Sequence, residues 1–101
     1  MALPVVWVPE VGEDLKEALA WYENIHLGLG ARFALAAEAV ANAIAESLSR
    51  FQVAHKRLRR AGVRRFPYGI FFEVETNRIV VIACMHGRRN PNQWKIRRSV
   101  E

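Results

Sequence analysis

A chain of 101 residues and 11.5 kDa holds one domain with one modest core, which excludes a second domain closing over a large substrate. Hydrophobic residues make up 51% and mean hydropathy is -0.03, the balance of a globular chain rather than a disordered one. The formal charge of +5 is divided unevenly: residues 1–49 carry two basic and seven acidic side chains, residues 50–101 thirteen basic and three acidic, so a polyanion or an acidic protein is the partner expected for the second half.

The opening run "MALPVVWV" has no basic residue before it and meets Pro9 and Glu10 at once, unlike a secretory leader. No stretch is long and charge-free enough to span a bilayer, so a cytoplasmic location is expected. "LPVVWVP" is rich in β-branched residues and predicts a first strand, ended by Pro9. From about residue 10 to 27 the spacing changes. Leu15, Ala18, Leu19, Tyr22, Ile25 and Leu29 recur three or four apart, the mark of one helix face. Glu10, Glu13 and Asp14 stand in its opening turns, where the helix dipole favours carboxylates.

"GLG" at 28–30 lets that helix stop and the chain reverse. A second helix is predicted over roughly 31–51, its buried stripe being Phe33, Ala37, Val40, Ile44, Leu48 and Phe51. Its many alanines raise helix propensity and permit close approach to a neighbour. The two helices should form an antiparallel hairpin.

"HKRLRRAG" then reads as a basic linker, "VRRF" as a short strand interrupted by Pro67, and "YGIFFEVE" as a clean alternation. In that alternation Tyr68, Ile70, Phe72 and Val74 face one way, and Phe71, Glu73 and Glu75 the other. "TN" turns the chain, and "RIVVIACMH", apolar on both faces, is the central strand. The expected fold is α+β: one domain over 1–101, a small antiparallel sheet in the order β-α-α-β-β-β, with an N-terminal helical hairpin on one face.

Candidate chemistry gathers in the basic half. Of the set formed by His86 with Arg57, Arg59, Arg60, Arg64, Arg65, Arg88 and Arg89, the histidine is the one side-chain type suited to general-base work near neutrality. It is either a general base or a strand-end histidine bonded to a backbone carbonyl. His26, His55 and His86 lie in separate elements, so no metal site is expected, and no motif implies a cofactor. "GLG" is too short to cradle a nucleotide. Cys84, alone in an apolar run, reads as a small hydrophobe. Trp94 in "NPNQW" either docks the tail or stacks on a partner. Trp21, beside the core residue Tyr22, falls nearer the helix edge.

Four stretches, "PEVGEDLKEALAWYE", "GLGARFALAAEAVANAI", "RRFPYGIFFEVE" and "IVVIACMHGRRNPNQWKIR", cover nearly the whole chain. In that order they resemble the RelE/ParE superfamily of toxins from bacterial type II toxin–antitoxin systems. The most specific parts are the R-F-P-Y junction and the H-x-x-R-x-P-x-x-W ending. The resemblance implies a growth-inhibiting, plasmid-stabilising toxin neutralised by a cognate antitoxin, in a heterotetramer or another toxin–antitoxin complex. The antitoxin of such a pair wraps a disordered or helical segment around the toxin. Here Trp21 and Phe33 are the residues expected to meet it.

The family holds two biochemistries. RelE-like members cut mRNA in the ribosomal A site; ParE-like members poison DNA gyrase. Cleavage needs a base, an acid and cations for the phosphorane charge. In this chain that implies His86 with Arg65 and Arg88, aided by Arg64 and Arg89. Against it, neither tyrosine (Tyr22, Tyr68) lies in the tail, and arginine clamps phosphate without shuttling protons. The ParE-like reading therefore leads, with Arg59, Arg60, Arg64, Arg89, Trp94 and Arg97 as target-binding residues. The mRNA endonuclease is the alternative, and an inactive relative that binds only antitoxin is a third.

Overall fold

The computed structural model describes residues 3–46, 53–55 and 58–87. The elements are β1 (Val5–Trp7), α1 (Pro9–Ile25), α2 (Leu29–Glu46), β2 (Val53–His55), β3 (Leu58–Gly62), β4 (Tyr68–Val74) and β5 (Ile79–His86). The strands form one sheet in the order β1-β5-β4-β3-β2. β2 to β5 are antiparallel to their neighbours, whereas β1 lies parallel to β5, pairing Val5 with Ile79 and Trp7 with Val81. The α+β class and the β-α-α-β-β-β order stand, and the sheet is mostly antiparallel, with β1 its parallel strand. The first strand pairs with the last, and the intervening hairpin and strand reversals leave those two pointing the same way.

α1 begins directly on the sheet. Val8 donates its N–H to the Val81 carbonyl at 3.0 Å, and Pro9 opens the helix where a missing N–H costs nothing. Its buried face is Val11, Asp14, Ala18 and Tyr22, with Leu15 and Leu19 half-buried, while Ile25 is exposed. Asp14 is therefore not a dipole-pairing residue of the first turn: it points into the protein, 6% exposed.

The reversal between helices is held by Glu23, whose carboxylate accepts the N–H groups of Gly28 at 2.9 Å and Gly30 at 3.0 Å. Those are donors that the start of α2 would otherwise leave unsatisfied. The two bonds hold the Glu23 carboxyl below its ordinary pKa. Gly28 has φ +87°, the left-handed region that glycine enters freely. At Gly30 a Cβ would come within 2.9 Å of the Leu19 carbonyl oxygen, so the close crossing of α1 and α2 requires glycine there.

α2 buries Phe33, Ala37, Val40 and Ile44 as expected; Leu48 and Phe51 lie outside the described residues. The stretch that reads as a basic linker contains β3 itself, with Leu58 and Ala61 buried. "VRRF" is not a strand, because Val63–Pro67 forms the turn into β4. Ile70 and Phe72 of β4 are fully buried, and in β5 every residue from Ile79 to Met85 is buried, as a central strand requires. Between Phe71–Ala83 and Phe72–Val81 the ladder skips Ile82, so β5 carries a one-residue bulge.

Candidate partner-binding groove and the basic turn

The turn joining β3 to β4 is fixed by its backbone. Phe66 donates to the Val63 carbonyl at 3.1 Å, Val63 to Tyr68 at 2.9 Å, and Gly87 after β5 to Pro67 at 2.8 Å. Arg65 is the third residue of the inner turn and has φ 71°, a position that favours glycine or asparagine. The side chain of Phe66 anchors the turn to the helices. Its ring meets Tyr22 edge-on at 4.8 Å and Phe33 at 5.1 Å, while Tyr22 and Phe33 stack at 5.3 Å. Tyr68 joins from β4, 5.1 Å from Phe33, and carries His86 against it at 5.4 Å. Burial and the neighbouring Tyr68 raise the Tyr22 phenol above its ordinary pKa.

Between this turn and α2 runs an open groove of about 890 Å³. One wall is Leu29, Arg32, Leu35, Ala36, Ala39, Val40 and Ala43 of α2; the other is Gly62, Arg64, Arg65, Phe66 and Pro67. Among the described residues its lining is apolar apart from Tyr22 and the three arginines, and none is acidic. Leu35 is 68% exposed. Arg32, one of only two bases in the first half of the chain, thus stands with two arginines from the second half.

The predicted site residues separate in space. Arg64 and Arg65 lie in the exposed turn, not on a strand, and line the groove. Arg59 and Arg60 are neighbours on β3 and so project to opposite faces of the sheet. Arg59 is half-buried opposite Phe72, whereas Arg60 is exposed, its guanidinium so close over Gly69 that a Cβ there would meet Nε at 2.5 Å. His86 ends β5 in register with Tyr68 and is not among the groove residues. Trp21 is 61% exposed on α1, available to a partner. Phe33 is 0% exposed; as an antitoxin contact it is corrected to a core residue, because Tyr22, Phe66 and Tyr68 enclose it. Arg88, Arg89, Trp94 and Arg97 lie outside the described residues.

Sequence reasoning missed the groove and Arg32. The signal was faint: Arg32, Ala36, Ala39 and Ala43 recur three or four apart, beside the stripe of Phe33, Ala37, Val40 and Ile44 rather than on it.

Two predictions arise from this geometry. The Arg65 φ costs a non-glycine residue on the order of 1 kcal/mol, so Arg65→Gly should raise Tm by roughly 4–8 °C for a domain of this size. Scanning calorimetry of the pair checks this, and a lowered Tm would mean the side chain contributes more than its strain. Burial first, and the Asp14 carboxylate second, push the Cys84 thiol up to about 12. A buried thiol held in its neutral form reacts slowly, so a disulfide reagent should modify Cys84 only after unfolding by urea; stoichiometric labelling of native protein would contradict the burial. Among the described residues no group of three or more His, Cys, Asp or Glu is placed to hold a metal, and no helix is long and apolar enough to cross a membrane.

A small domain with a two-helix hairpin across a mostly antiparallel sheet, and a cation-rimmed groove along its second helix, defines the class. Residues 5–91 match the family described as the ParE toxin of type II toxin-antitoxin system, parDE, and the chain belongs to that family. Among solved structures it is similar to a chain of the chromosomal ParDE TA system from P. aeruginosa. The TM-score is 0.74 at 12% identity, over 84% of this chain and 96% of that one, a likeness of fold. Among curated proteins no match is found.

Proposed function

We propose that this ParE-family toxin arrests growth by poisoning DNA gyrase in the cytoplasm and is kept silent by a cognate antitoxin. The observation that carries this reading is the ParE family match across residues 5–91. The placement of the cations supports it. A ribosome-dependent nuclease would need a base with phosphate clamps converging on one phosphodiester. Among the described residues Arg59 and Arg60 diverge, Arg64 and Arg65 line the α2 groove, and the His86 ring packs against Tyr68. On this reading Arg59, Arg60, Arg64, Arg89, Trp94 and Arg97 engage the target, and Trp21 meets the antitoxin.

The test runs on both targets. Purified toxin, gyrase and supercoiled plasmid are expected to accumulate cleaved complexes, and antitoxin added first is expected to prevent them. In parallel, mRNA ends are mapped in cells expressing the toxin. Ribosomal A-site cuts that disappear in His86→Ala would overturn the gyrase reading. Light scattering of the purified pair gives its stoichiometry, for which we propose a heterotetramer or a larger complex.

A further inference from the structure

The two edges of the sheet are guarded very differently. β2 forms one edge, and Lys56 and Arg57 follow it directly in the sequence. Charges of that kind discourage a foreign strand from adding to a sheet. β1 forms the other edge, and residues 1–9, MALPVVWVP, contain no charged side chain.

Proline does not guard this edge either. Pro4 gives its carbonyl to the Ile79 N–H at 2.9 Å and Val8 its N–H to Val81 at 3.0 Å, so the backbone groups of residues 4, 6 and 8 face β5. The one residue that cannot donate is turned inward, while the N–H and C=O groups of Val5 and Trp7 are turned outward. Their side chains leave room for an added strand on both faces. Val6 is 39% exposed and Trp7 37%. Trp7 borders a recess of about 250 Å³ with Leu15, Leu19 and Ala41, and with Val6 a second of about 530 Å³ beside Val80 and Arg78.

An uncharged edge offers little to the carboxylates of an acidic partner or the arginines of a basic one. It favours a strand of its own kind, β-branched and uncharged, and β1 of a second copy is such a strand. An antiparallel pair about a twofold axis is self-complementary. Centred on Val6, it sets Val5 of one copy against Trp7 of the other in hydrogen-bonded pairs and brings the two Val6 side chains together at the axis. The charge distribution permits this contact. Arg59 and Arg60 of β3 lie three strand spacings from β1, roughly 14 Å. Joined β1 edges therefore put the basic surfaces at opposite ends of the pair, farther apart than the screening length in salt.

We propose that β1 is a self-association edge, through which two copies join their sheets across a twofold axis at Val6. The pairing leaves the α2 groove open, since that groove lies against the turn from β3 to β4.

Sedimentation velocity of the full-length chain over a concentration series reads the association. Wild type is expected to pass reversibly from monomer to dimer. Val6→Lys and Val6→Glu each set like charges face to face at the axis, and each should weaken the dimer at least about 10-fold. Both should keep Tm within about 4 °C of wild type, because Val6 is exposed. An equal mixture of the two variants should recover a dimer that neither forms alone, a result that misfolding cannot mimic. Val5→Pro removes an outward N–H while sparing the ladder to β5, and should also hold the chain monomeric.

A wild-type chain that stays monomeric up to roughly 1 mM overturns the assignment. So does a dimer unchanged in Val6→Lys, or a mixture that fails to recover it. If the wild type is monomeric and Val6→Lys instead weakens the complex with antitoxin, the edge seats an antitoxin strand, and self-association is overturned by that result too. None of these outcomes bears on whether the toxin poisons gyrase.

Discussion

Phe33→Ala is expected to cost about 3–5 kcal/mol of folding stability, the range for emptying an aromatic side chain from a core. Phe33 is completely buried, and it is where α2 meets three other parts of the chain. It stacks on Tyr22 of α1 at 5.3 Å and takes the ring edges of Phe66 from the turn and Tyr68 from β4, each at 5.1 Å. Each aromatic pair adds about 0.5–1.5 kcal/mol beyond the area it buries, so the upper part of the range is expected. Small domains are stable by only about 5–15 kcal/mol, and a loss of this size should lower Tm by at least about 15 °C.

Urea unfolding followed by tryptophan fluorescence measures this directly. The same variant separates core from contact. Phe33→Leu keeps most of the volume and should remain folded, binding antitoxin within about twofold of wild type. A folded Phe33→Leu protein with affinity reduced tenfold or more would restore Phe33 as a partner residue. Destabilisation below about 1 kcal/mol in Phe33→Ala would show that the four rings do not act as one cluster.

Much of this arrangement is legible in the sequence because helix periodicity is a local signal. The stripe of Phe33, Ala37, Val40 and Ile44 can be read without knowing what covers it, and so can the apolar run of β5. β3 was hidden for a physical reason. It lies one place from the sheet edge, and its five residues, Leu-Arg-Arg-Ala-Gly, bury only Leu58 and Ala61, so alternation is broken by Arg59 and Arg60. Charge density there imitates a solvated linker. The parallel pairing of β1 with β5 was hidden for another reason, since it joins residues more than seventy positions apart and no local pattern encodes it.

The site was less legible than the fold. Arginines that are adjacent in the sequence do not share a surface when they occupy a strand, as Arg59 and Arg60 show. Conversely Arg32 lines one groove with Arg64 and Arg65 because Phe66 packs the turn against the hairpin. The division of the described arginines into a groove rim and separate strand faces needed the tertiary structure.

The second large effect is expected at Asp14. β1 covers β5 only from Ile79 to Val81, and the skipped residue Ile82 then reverses which way the backbone groups point. The N–H of Cys84 is consequently directed away from β4, toward the side where β1 has already ended. Asp14 of α1 supplies the missing acceptor, its Oδ2 taking the Cys84 N–H at 3.0 Å inside the protein. A helix carboxylate stands in for the absent strand, and this explains an acidic residue on the inner face of α1.

Asp14→Ala removes a bond to a charged acceptor and leaves a buried donor unpaired, at a cost of about 1.5–3 kcal/mol. Asp14→Asn keeps an acceptor oxygen and should recover part of that loss. Because the Asp14 carboxylate helps hold the Cys84 thiol up near 12, both substitutions should also make Cys84 easier to label in the folded state. Urea midpoints together with labelling rates below the transition measure both effects. If Asp14→Ala unfolds at the wild-type midpoint, another group satisfies Cys84 and the carboxylate is dispensable. If stability falls but labelling stays at the wild-type rate, the carboxylate holds the strand edge without setting the thiol's charge. A fall in stability with faster labelling identifies one buried carboxylate as the link that both closes the edge of β5 and keeps its cysteine inert.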